Sequence, residues 1–351
     1  MKSFRIAVIP GDGVGVEVIE AAWIVLVAVA ARHRFELTQD RYPWSCDYYL
    51  QHGRMMPEDG IERLSSVDAI LLGAVGWPEK VPDAISLHGL LLPIRKAFDL
   101  YVNVRPHRLL RGINGPLRTA NFDILCIREN TEGEYSGAGG RIHRGTADEV
   151  AVETAVFTRK GTERILRYAF AQAMRRRRRL CSVTKSNAQK HSMVFWDEVT
   201  DAVAADYPHV ELQKAHVDAV AARFVLHPET LDVVVASNLF GDILSDIGAA
   251  IQGGLGFAAS ANIDPSRRSP SMFEPVHGSA PDISGRGRAN PMAAIWSAAL
   301  MLEHLGEATA AAEVMCAMES VSAEGALRTP DQGGACSTMD LARGVADRLC
   351  L

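Results

Sequence analysis

The chain has 351 residues, which is enough for two domains of average size and a large core. A hydrophobic fraction of 48% and a charged fraction of 23% describe an ordinary soluble globular protein, and a formal net charge of −5 gives no general case for binding nucleic acid. The apolar stretch 21–31 is too short to span a bilayer and follows Glu17 and Glu20, so we expect a core helix there rather than a signal or membrane segment.

The cysteines indicate the compartment of the protein, and a run of arginines raises the question of a nucleic-acid or membrane partner. Six cysteines are scattered without a Cys-x-x-Cys pair, and several lie in apolar runs, which indicates reduced, buried thiols in a cytoplasmic protein. Five consecutive arginines at 175–179 close a helix that is expected to begin near Thr158. Cations suit a helix C-terminus, so we interpret the run as a solvated helix end, with an RNA-binding or membrane-binding patch as the alternative. We therefore expect no nucleic-acid partner and no membrane partner.

Strands and helices are predicted to alternate along the chain. Residues 5–9 are predicted to form a strand, followed by a glycine-rich turn at 11–15 and a helix to about Arg32. Further strands are predicted at 69–72, 123–127, 180–183 and 231–237, with helical stretches between most of them. This alternation predicts an α/β fold with a largely parallel sheet. The glycine spacing in the first turn is not Gly-x-Gly-x-x-Gly, so a Rossmann dinucleotide-binding domain is disfavoured.

A glycine-rich segment at 133–145 precedes a strand-like alternation at 149–156. The two segments predict a projecting loop and a β-ribbon. A two-stranded ribbon cannot bury both of its faces alone, so we expect it to pack against a partner subunit.

Two aspartates follow the apolar run 231–237. Helical structure is predicted from Gly241 onward, so Asp242 and Asp246 are four residues apart and share one helix face. Carboxylates at that spacing repel each other, which predicts a cation between them, and a hard divalent ion with oxygen ligands is the natural candidate. The alternative is a helix-capping aspartate followed by a solvated one.

Three arginines are candidates for binding a ligand: Arg95, Arg105 and Arg128. The last two lie at or beside predicted strand ends, where ligands of α/β sheets bind. Guanidinium groups bind carboxylates bidentately, and three of them suit a small di-acid, although a single arginine is more often a surface cation. Tyr135 and Lys185 follow in polar segments, and a lysine held among aspartates and a metal can serve as a general base, with the tyrosine as a proton donor.

Together these segments resemble the metal-dependent decarboxylating dehydrogenases of β-substituted (R)-malates, which include isocitrate, 3-isopropylmalate and tartrate/D-malate dehydrogenases. The similarity runs from the first glycine-rich turn to residues 331–334. Its most specific pieces are residues 238–246 and residues 274–283 with 289–291. The resemblance implies an isopropylmalate dehydrogenase-like two-domain α/β fold with a mixed, largely parallel sheet, which is not a Rossmann domain.

The resemblance also implies roles for the residues. The substrate carboxylates would be held by Arg95, Arg105 and Arg128; Mn²⁺ or Mg²⁺ by Asp218, Asp242 and Asp246; and Tyr135 and Lys185 would be the acid/base pair. Lys185 and Asp218 would come from the second subunit, so that a homodimer shares its active sites. The adenosine half of NAD would be bound by His277, Gly278, Ser279, Ala280, Asp282 and Asn290. A need for a monovalent cation such as K⁺ is left open.

The same resemblance divides the chain into two domains. Residues 1–99 with 252–351 would bind the cofactor. Residues 100–251 would bind the substrate and the metal and form the dimer, with the β-ribbon arm at about 134–157.

The nucleotide and the substrate are predicted from particular positions. The resemblance implies that Asp282 lies at the adenosine ribose, where a carboxylate would hydrogen-bond a free 2′-hydroxyl and repel a 2′-phosphate, which favours NAD. Counting back from Arg95, relatives acting on isocitrate carry Ser and Asn six and four residues earlier, where this chain has Gly89 and Leu91. Relatives acting on 3-isopropylmalate carry Leu and Glu four and seven residues earlier; Leu91 agrees, but His88 replaces the Glu. Segments 44–49, 52–60, 141–145 and 257–262 are similar to the tartrate/D-malate branch.

The leading hypothesis is an NAD- and divalent-metal-dependent enzyme that oxidises tartrate- or D-malate-type 2-hydroxy dicarboxylic acids, with or without decarboxylation. The alternative within the family is 3-isopropylmalate dehydrogenase. A rival from another class is a non-catalytic NAD- or nucleic-acid-binding protein that uses the arginine run, but a pure binder has no use for an acid/base pair such as Tyr135 and Lys185. Residues 188–191 and Arg223 depart from the usual family pattern and bear on turnover or the preferred diastereomer rather than on reaction class.

Overall fold

The structure is a computed structural model that describes residues 2–118 and 121–349. Its strands are β1 (Ser3–Gly11), β2 (Glu36–Arg41), β3 (Ala69–Ala74), β4 (Val102–Arg108), β5 (Asp123–Glu129), β6 (Gly133–Ile142), β7 (Val150–Val156), β8 (Arg179–Thr184), β9 (Glu211–His216), β10 (Val233–Ala236), β11 (Ala259–Ile263) and β12 (Ser271–Pro275). Its helices are α1 (Gly15–His33), α2 (Cys46–His52), α3 (Gly60–Leu64), α4 (Asp83–Ser86), α5 (Leu92–Ala97), α6 (Arg159–Arg175), α7 (Ser192–Ala204), α8 (Val217–Leu226), α9 (Asn238–Ile251), α10 (Met292–His304), α11 (Ala308–Glu324) and α12 (Thr338–Arg348).

The chain forms two compact units. Unit 1 comprises Met1–Leu100, Leu109–Ala120 and Ala249–Leu351, and unit 2 comprises Tyr101–Arg108 and Asn121–Gly248. The assignment of cofactor binding to one domain and of substrate and metal binding to the other stays a prediction.

In unit 1 the strands are ordered β2-β1-β3-β12-β11. The first three pairings are parallel, and β11 runs antiparallel to β12. Every residue of β3 is buried, as its uninterrupted apolar sequence predicts for a parallel strand covered on both faces. The core of this unit packs around large side chains such as Trp44, Met55, Leu72 and Phe98.

In unit 2 the strands are ordered β4-β5-β10-β8-β9. The β4–β5 pair is antiparallel and the other pairs are parallel. All four residues of β10 are buried, as the apolar run in the sequence predicts. Both units therefore confirm the predicted α/β class with mixed, largely parallel pairing.

The predicted ribbon forms as the antiparallel pair β6–β7. Every residue of β7 is exposed, including Val150 and Val152.

The predicted core helix at 21–31 lies within α1, whose inward face is buried at Ala22, Val25, Leu26 and Val29. No helix among the described residues is long and apolar enough to cross a membrane. Three of the cysteines, Cys46, Cys126 and Cys181, are buried free thiols as predicted. The prediction of burial is wrong for Cys316, which is exposed on α11, and Cys350 lies outside the described residues.

The arginine run is only partly a solvated helix end. Thr158 caps α6 as expected, accepting a hydrogen bond from the amide of Gly161 (2.9 Å), and the helix ends at Arg175. Arg176 donates Nε to Oδ1 of Asp232 at 2.8 Å, and the amide of Arg177 donates to Oδ2 of the same buried carboxylate at 2.9 Å. Two residues of the run therefore hold a buried anion beside β10, because an unpaired buried carboxylate is costly.

Candidate active site

The start of α9 lies against the end of β5. The amide of Gly241 donates to the carbonyl of Ser237 at 2.8 Å, so the helix begins at Asn238, three residues earlier than the sequence predicts. A Cβ on Gly241 would stand 2.7 Å from Cβ of Arg128, so glycine is what lets the helix approach the strand this closely. Arg128 donates Nε to Oδ1 of Asn238 at 2.9 Å and Nη1 to Oδ1 of Asp242.

A second arginine reaches the same helix from β4. Arg105 donates Nε to Asn103 at 2.8 Å and Nη1 to Oγ of Ser245 at 2.7 Å. Its Nη1 also lies 3.4 Å from Oδ1 of Asp242 and 3.8 Å from Oδ1 of Asp246. The two carboxylates predicted to need a cation therefore have arginine cations beside them within unit 2.

The two aspartates nevertheless keep an open side. The side chain of Asp242 is 36% exposed and that of Asp246 is 61% exposed, whereas Arg105 beside them is buried. Burial of part of the group raises the pKa of Asp246, and repulsion from Asp242 adds to this rise against the opposing effect of Arg105. The donor set, two accessible carboxylates on one helix face, fits a hard divalent cation.

The third predicted metal ligand lies in another pair. Lys185, directly after β8, donates Nζ to Oδ1 of Asp218 in the first turn of α8 at 2.7 Å. The hydrogen bond from Lys185 lowers the pKa of Asp218. Among the residues that the structure describes, no three His, Cys, Asp or Glu side chains are grouped as a metal site. Asp218 therefore does not complete a set of three with Asp242 and Asp246 within one chain.

Tyr135 projects from β6 to the same aspartate that Arg128 holds. Its hydroxyl lies 3.4 Å from Oδ2 of Asp242, and its ring lies 5.5 Å from the guanidinium carbon of Arg128. Partial burial, followed by the negative charge of Asp242, raises the pKa of Tyr135. The hydroxyl therefore carries its proton at neutral pH and can donate it.

Arg95, the third predicted substrate arginine, lies in α5 of unit 1. Its guanidinium is buried and donates Nη2 to Oε1 of Glu274 on β12 at 2.7 Å. The two specificity residues precede it in the π-helical turn Leu87–Leu91. His88 is exposed, and Leu91 packs on the core of unit 1. A π-helical turn contains an extra residue, so counting back along a regular α-helix misplaces their directions relative to Arg95.

The predicted cofactor segment follows β12. Nδ1 of His277 contacts the carbonyl of Gly278 at 3.0 Å, while Nε2 is buried and has no hydrogen-bond partner among the described residues. Burial lowers the pKa of His277, so the imidazole is neutral at pH 7. A Cβ on Gly278 would meet nothing within 4 Å, so there is open space at the Cα of this glycine. A buried ring nitrogen without a hydrogen-bond partner is unusual, and a polar ligand group would satisfy it.

The other predicted cofactor residues lie around a 3₁₀ turn after β12 and just before α10. Ala280 has φ +39° and precedes a 3₁₀ turn, Pro281–Ile283, in which Asp282 is exposed. Asn290 is buried, donating Nδ2 to Asp331 at 3.0 Å and accepting the amide of Met292 at 3.0 Å.

The first glycine-rich turn is tied directly to this segment. The carbonyl of Ser279 accepts the amide of Val14 at 2.8 Å, and a Cβ on Gly13 would stand only 2.0 Å from that carbonyl oxygen. Asp12 is buried and accepts the amides of Cys46 (2.8 Å) and Gly76 (3.0 Å). The turn thus lies beside the predicted adenosine segment, held there through backbone contacts.

Sequence reasoning missed several polar residues that shape these groups: Asp12, Asn238, Ser245, Asn262 and Glu274. Ser245 and Asn238 lie inside the motif at 238–246, and their spacing from Asp242 on a helix is a signal that could have identified them. Asp12 carries no local signal, because its partners Cys46 and Gly76 are 34 and 64 residues away. Asn262 carries none because it meets Glu274 only when β11 pairs with β12. Arg223, one of the residues that depart from the family pattern, bonds Gln213 (2.6 Å) and Thr230 (3.0 Å).

Comparisons with known proteins agree with this geometry. A family model described as isocitrate/isopropylmalate dehydrogenase matches residues 5–345. The chain is 55% identical to the probable tartrate dehydrogenase/decarboxylase of Bacillus subtilis (strain 168), with 99% of each chain covered. It is 51% identical to the D-malate dehydrogenase [decarboxylating] of Escherichia coli (strain K12), with 100% of this chain and 98% of that one covered.

A solved structure, the isocitrate dehydrogenase from Methylococcus capsulatus, matches with a TM-score of 0.90 and 34% identity over 99% of this chain and 100% of that chain. The similarity to this fold is confirmed across the whole chain. The chain belongs to the isocitrate/isopropylmalate dehydrogenase family.

Proposed function

We propose that the protein is an NAD-dependent, divalent-metal-dependent dehydrogenase of tartrate- or D-malate-type 2-hydroxy dicarboxylic acids, acting with or without decarboxylation. The observation that carries the proposal is the cluster around Asp242. Arg105, Arg128 and Tyr135 all contact this one carboxylate, and Asp246 lies beside it on the open face of α9. Full-length identities of 51–55% to tartrate and D-malate enzymes support the substrate class.

The arginines bind and orient the substrate in this proposal. Arg105 and Arg128 are both buried. Asn103 and Ser245 hold Arg105, and Asn238 holds Arg128. Little side-chain freedom is therefore lost when a carboxylate binds. Arg95 is proposed to bind a substrate carboxylate as well. A di-acid with carboxylates at both ends can pair with more than one guanidinium group, and bidentate pairing fixes its orientation as well as raising its affinity.

Asp242 and Asp246 would hold Mn²⁺ or Mg²⁺, which when bound supplies a Lewis acid that lowers the pKa of the substrate 2-hydroxyl. NAD when bound supplies the hydride acceptor at C2. His277, with Asp282 and Asn290 on the same segment, would hold the adenosine half, and the exposed carboxylate of Asp282 favours a free 2′-hydroxyl over a 2′-phosphate.

Two side chains move the protons. Lys185 donates a hydrogen bond to Asp218, a carboxylate to which it can pass a proton. The neutral amine that remains accepts the proton of the 2-hydroxyl as the carbonyl forms. Tyr135 donates a proton to C3 of the enolate that CO₂ loss leaves behind, which its protonated hydroxyl suits. With tartrate, oxidation can stop at the keto acid, and Tyr135 is then not needed for net turnover.

A homodimer with shared active sites completes the proposal. The fully exposed strand β7 and the exposed apolar residues Val225 and Leu226 at the end of α8 are surfaces that a second copy could cover. Lys185 and Asp218 of the partner subunit would then join Asp242 and Asp246 of the first. This arrangement accounts for the absence of a three-carboxylate group within the described part of one chain.

The test is NADH formation with Mn²⁺ from a panel of D-malate, the tartrate stereoisomers, 3-isopropylmalate and isocitrate. The proposal expects the highest kcat/KM with D-malate or a tartrate. A higher kcat/KM with 3-isopropylmalate would contradict the substrate assignment, and no NADH from any of these acids would contradict the activity.

A further inference from the structure

The buried ion pair of Arg95 includes a residue with no assigned role. Oε1 of Glu274 accepts Nη2 of Arg95 at 2.7 Å and also accepts Nδ2 of Asn262 at 2.8 Å. The side chains of Arg95 and Glu274 are only 6% and 9% exposed. Asn262 is itself fully buried on β11, where its Nδ2 also lies 3.3 Å from the carbonyl of Met272. One carboxylate oxygen therefore links helix α5 to strands β11 and β12.

This arrangement is a costly way to obtain stability. Removing a carboxylate and a guanidinium from water costs free energy that their attraction recovers only in part, and an apolar pair of similar volume is often as stable or more so. The pair therefore needs another reason to be present in the core of unit 1.

The guanidinium of Arg95 is bonded but not saturated. Its Nε is buried and has no hydrogen-bond partner among the described residues, although a buried N–H nearly always has one. Guanidinium is planar, so a bond from Nη2 to a fixed oxygen also sets the direction in which Nε and the other N–H groups point. Glu274 is held by Asn262 and is thereby a fixed oxygen.

We infer that Glu274 is a positioning residue that holds the guanidinium of Arg95 in the orientation that binds a substrate carboxylate. The inference rests on the proposed function, in which Arg95 contacts the substrate. Glu274 also neutralises the charge of Arg95, so the net electrostatic attraction for a substrate carboxylate is reduced. What the guanidinium offers the substrate is a fixed direction for its N–H groups. Affinity at this position then depends on the direction of the N–H groups, which Glu274 and Asn262 set together.

The experiment is a double-mutant cycle of Glu274→Gln and Arg95→Met, in the full-length enzyme with Mn²⁺ and NAD. Gln keeps the size of the side chain and offers an acceptor oxygen, but it lacks the negative charge that pairs with Arg95 and supplies an N–H₂ donor that the guanidinium cannot accept. Glu274→Gln should raise KM for D-malate on the order of ten-fold, with KM for NAD and kcat within about three-fold. Arg95→Met should raise KM for D-malate further, and the double variant should match Arg95→Met alone.

Two further measurements separate positioning from folding. Thermal unfolding should show that the double variant is more stable than either single variant, because it buries no unpaired charge, so the cycle does not depend on a destabilised protein. The matched control is Glu313→Gln, which removes a carboxylate paired with Arg32 at the surface of the same unit and should leave all kinetic constants unchanged.

The outcomes are distinguishable. An unchanged KM for D-malate in Glu274→Gln, or a rise in KM for NAD instead, overturns the positioning role alone. The positioning role is also overturned if Glu274→Gln raises KM for D-malate as much in the Arg95→Met background as in the wild type. Glu274 would then act on something other than Arg95. An unchanged KM for D-malate in Arg95→Met overturns the substrate role of Arg95 in the proposed function, and the present inference with it.

Discussion

The hydroxyl of Tyr135 lies 3.4 Å from Oδ2 of Asp242, whose other oxygen, Oδ1, is held by Arg128. One carboxylate thus joins the proposed proton donor on β6 to a proposed substrate arginine at the end of β5. Because α9 carries Asp242 and Asp246 on the same face, whatever binds these carboxylates also lies next to Tyr135. This relationship places the acid, the arginine and the candidate metal ligands of unit 2 in one group.

The first prediction concerns this acid. Tyr135→Phe should still reduce NAD with tartrate, where oxidation can stop at the keto acid, but should lose roughly 10²- to 10⁴-fold in forming pyruvate from D-malate. Separate assays of NADH and pyruvate measure the two steps. Tyr207→Phe, which alters a tyrosine stacked on Phe170 in the same unit, is the matched control. Equal losses with both substrates would contradict a role confined to the step after CO₂ loss.

The second prediction concerns the metal. Dialysis against a chelator should abolish NADH formation, and Mn²⁺ should restore it, because the 2-hydroxyl is too weak an acid to lose its proton without a Lewis acid. Asp246→Asn should weaken Mn²⁺ binding measured by calorimetry, whereas Asp201→Asn, which alters a surface carboxylate paired with Lys214, should not. Full turnover in a dialysed, metal-free sample would show that no metal is needed.

The third prediction concerns the nucleotide. Wild-type enzyme should prefer NAD, and Asp282→Lys should narrow or reverse the preference. Loss of the bond to the 2′-hydroxyl and loss of repulsion of a 2′-phosphate are each expected to contribute about 1–3 kcal/mol. Comparison of kcat/KM for NAD and NADP measures the change. Glu303→Lys, which adds the same charge at an exposed position on α10, is the control. A wild-type enzyme that is faster with NADP would contradict the role of Asp282.

The fourth prediction concerns shared sites. Lys185→Met and Asp246→Asn should each be inactive alone, but a mixture unfolded and refolded together should regain activity. In a mixed dimer, one site takes an intact Lys185 from one subunit and an intact Asp246 from the other. If each subunit contained its own complete site, every site in the mixture would carry one defect, and no activity would return.

Much of the fold follows from local sequence patterns. The uninterrupted apolar runs that become β3 and β10 predict buried parallel strands, and the alternation after residue 149 predicts the exposed strand β7. The i, i+4 spacing of Asp242 and Asp246 predicts their shared face, because it depends only on helix geometry.

The remaining features depend on contacts between residues far apart in sequence. Arg105 lies 137 residues before Asp242, and nothing local indicates that it stands beside both aspartates. The π-helical turn Leu87–Leu91 alters the direction of His88 relative to Arg95, which a count of residues along a regular α-helix does not predict. The pairing of Arg176 with Asp232 turned an apparently solvated cation into the partner of a buried anion. The arginine contacts in the first and last of these cases form only in the folded chain.

The measurement that tests the central claim most directly is the first-turnover burst of NADH from D-malate, recorded by rapid mixing with Mn²⁺ present. Wild-type enzyme should show the burst, and Lys185→Met should show none, because hydride cannot leave C2 unless the 2-hydroxyl proton leaves too. Lys214→Met, which alters a surface lysine paired with Asp201, should behave like wild type. NADH formation at the wild-type rate in Lys185→Met would contradict the assignment of Lys185 as the base, and a wild-type enzyme that forms no NADH would contradict the dehydrogenase activity itself.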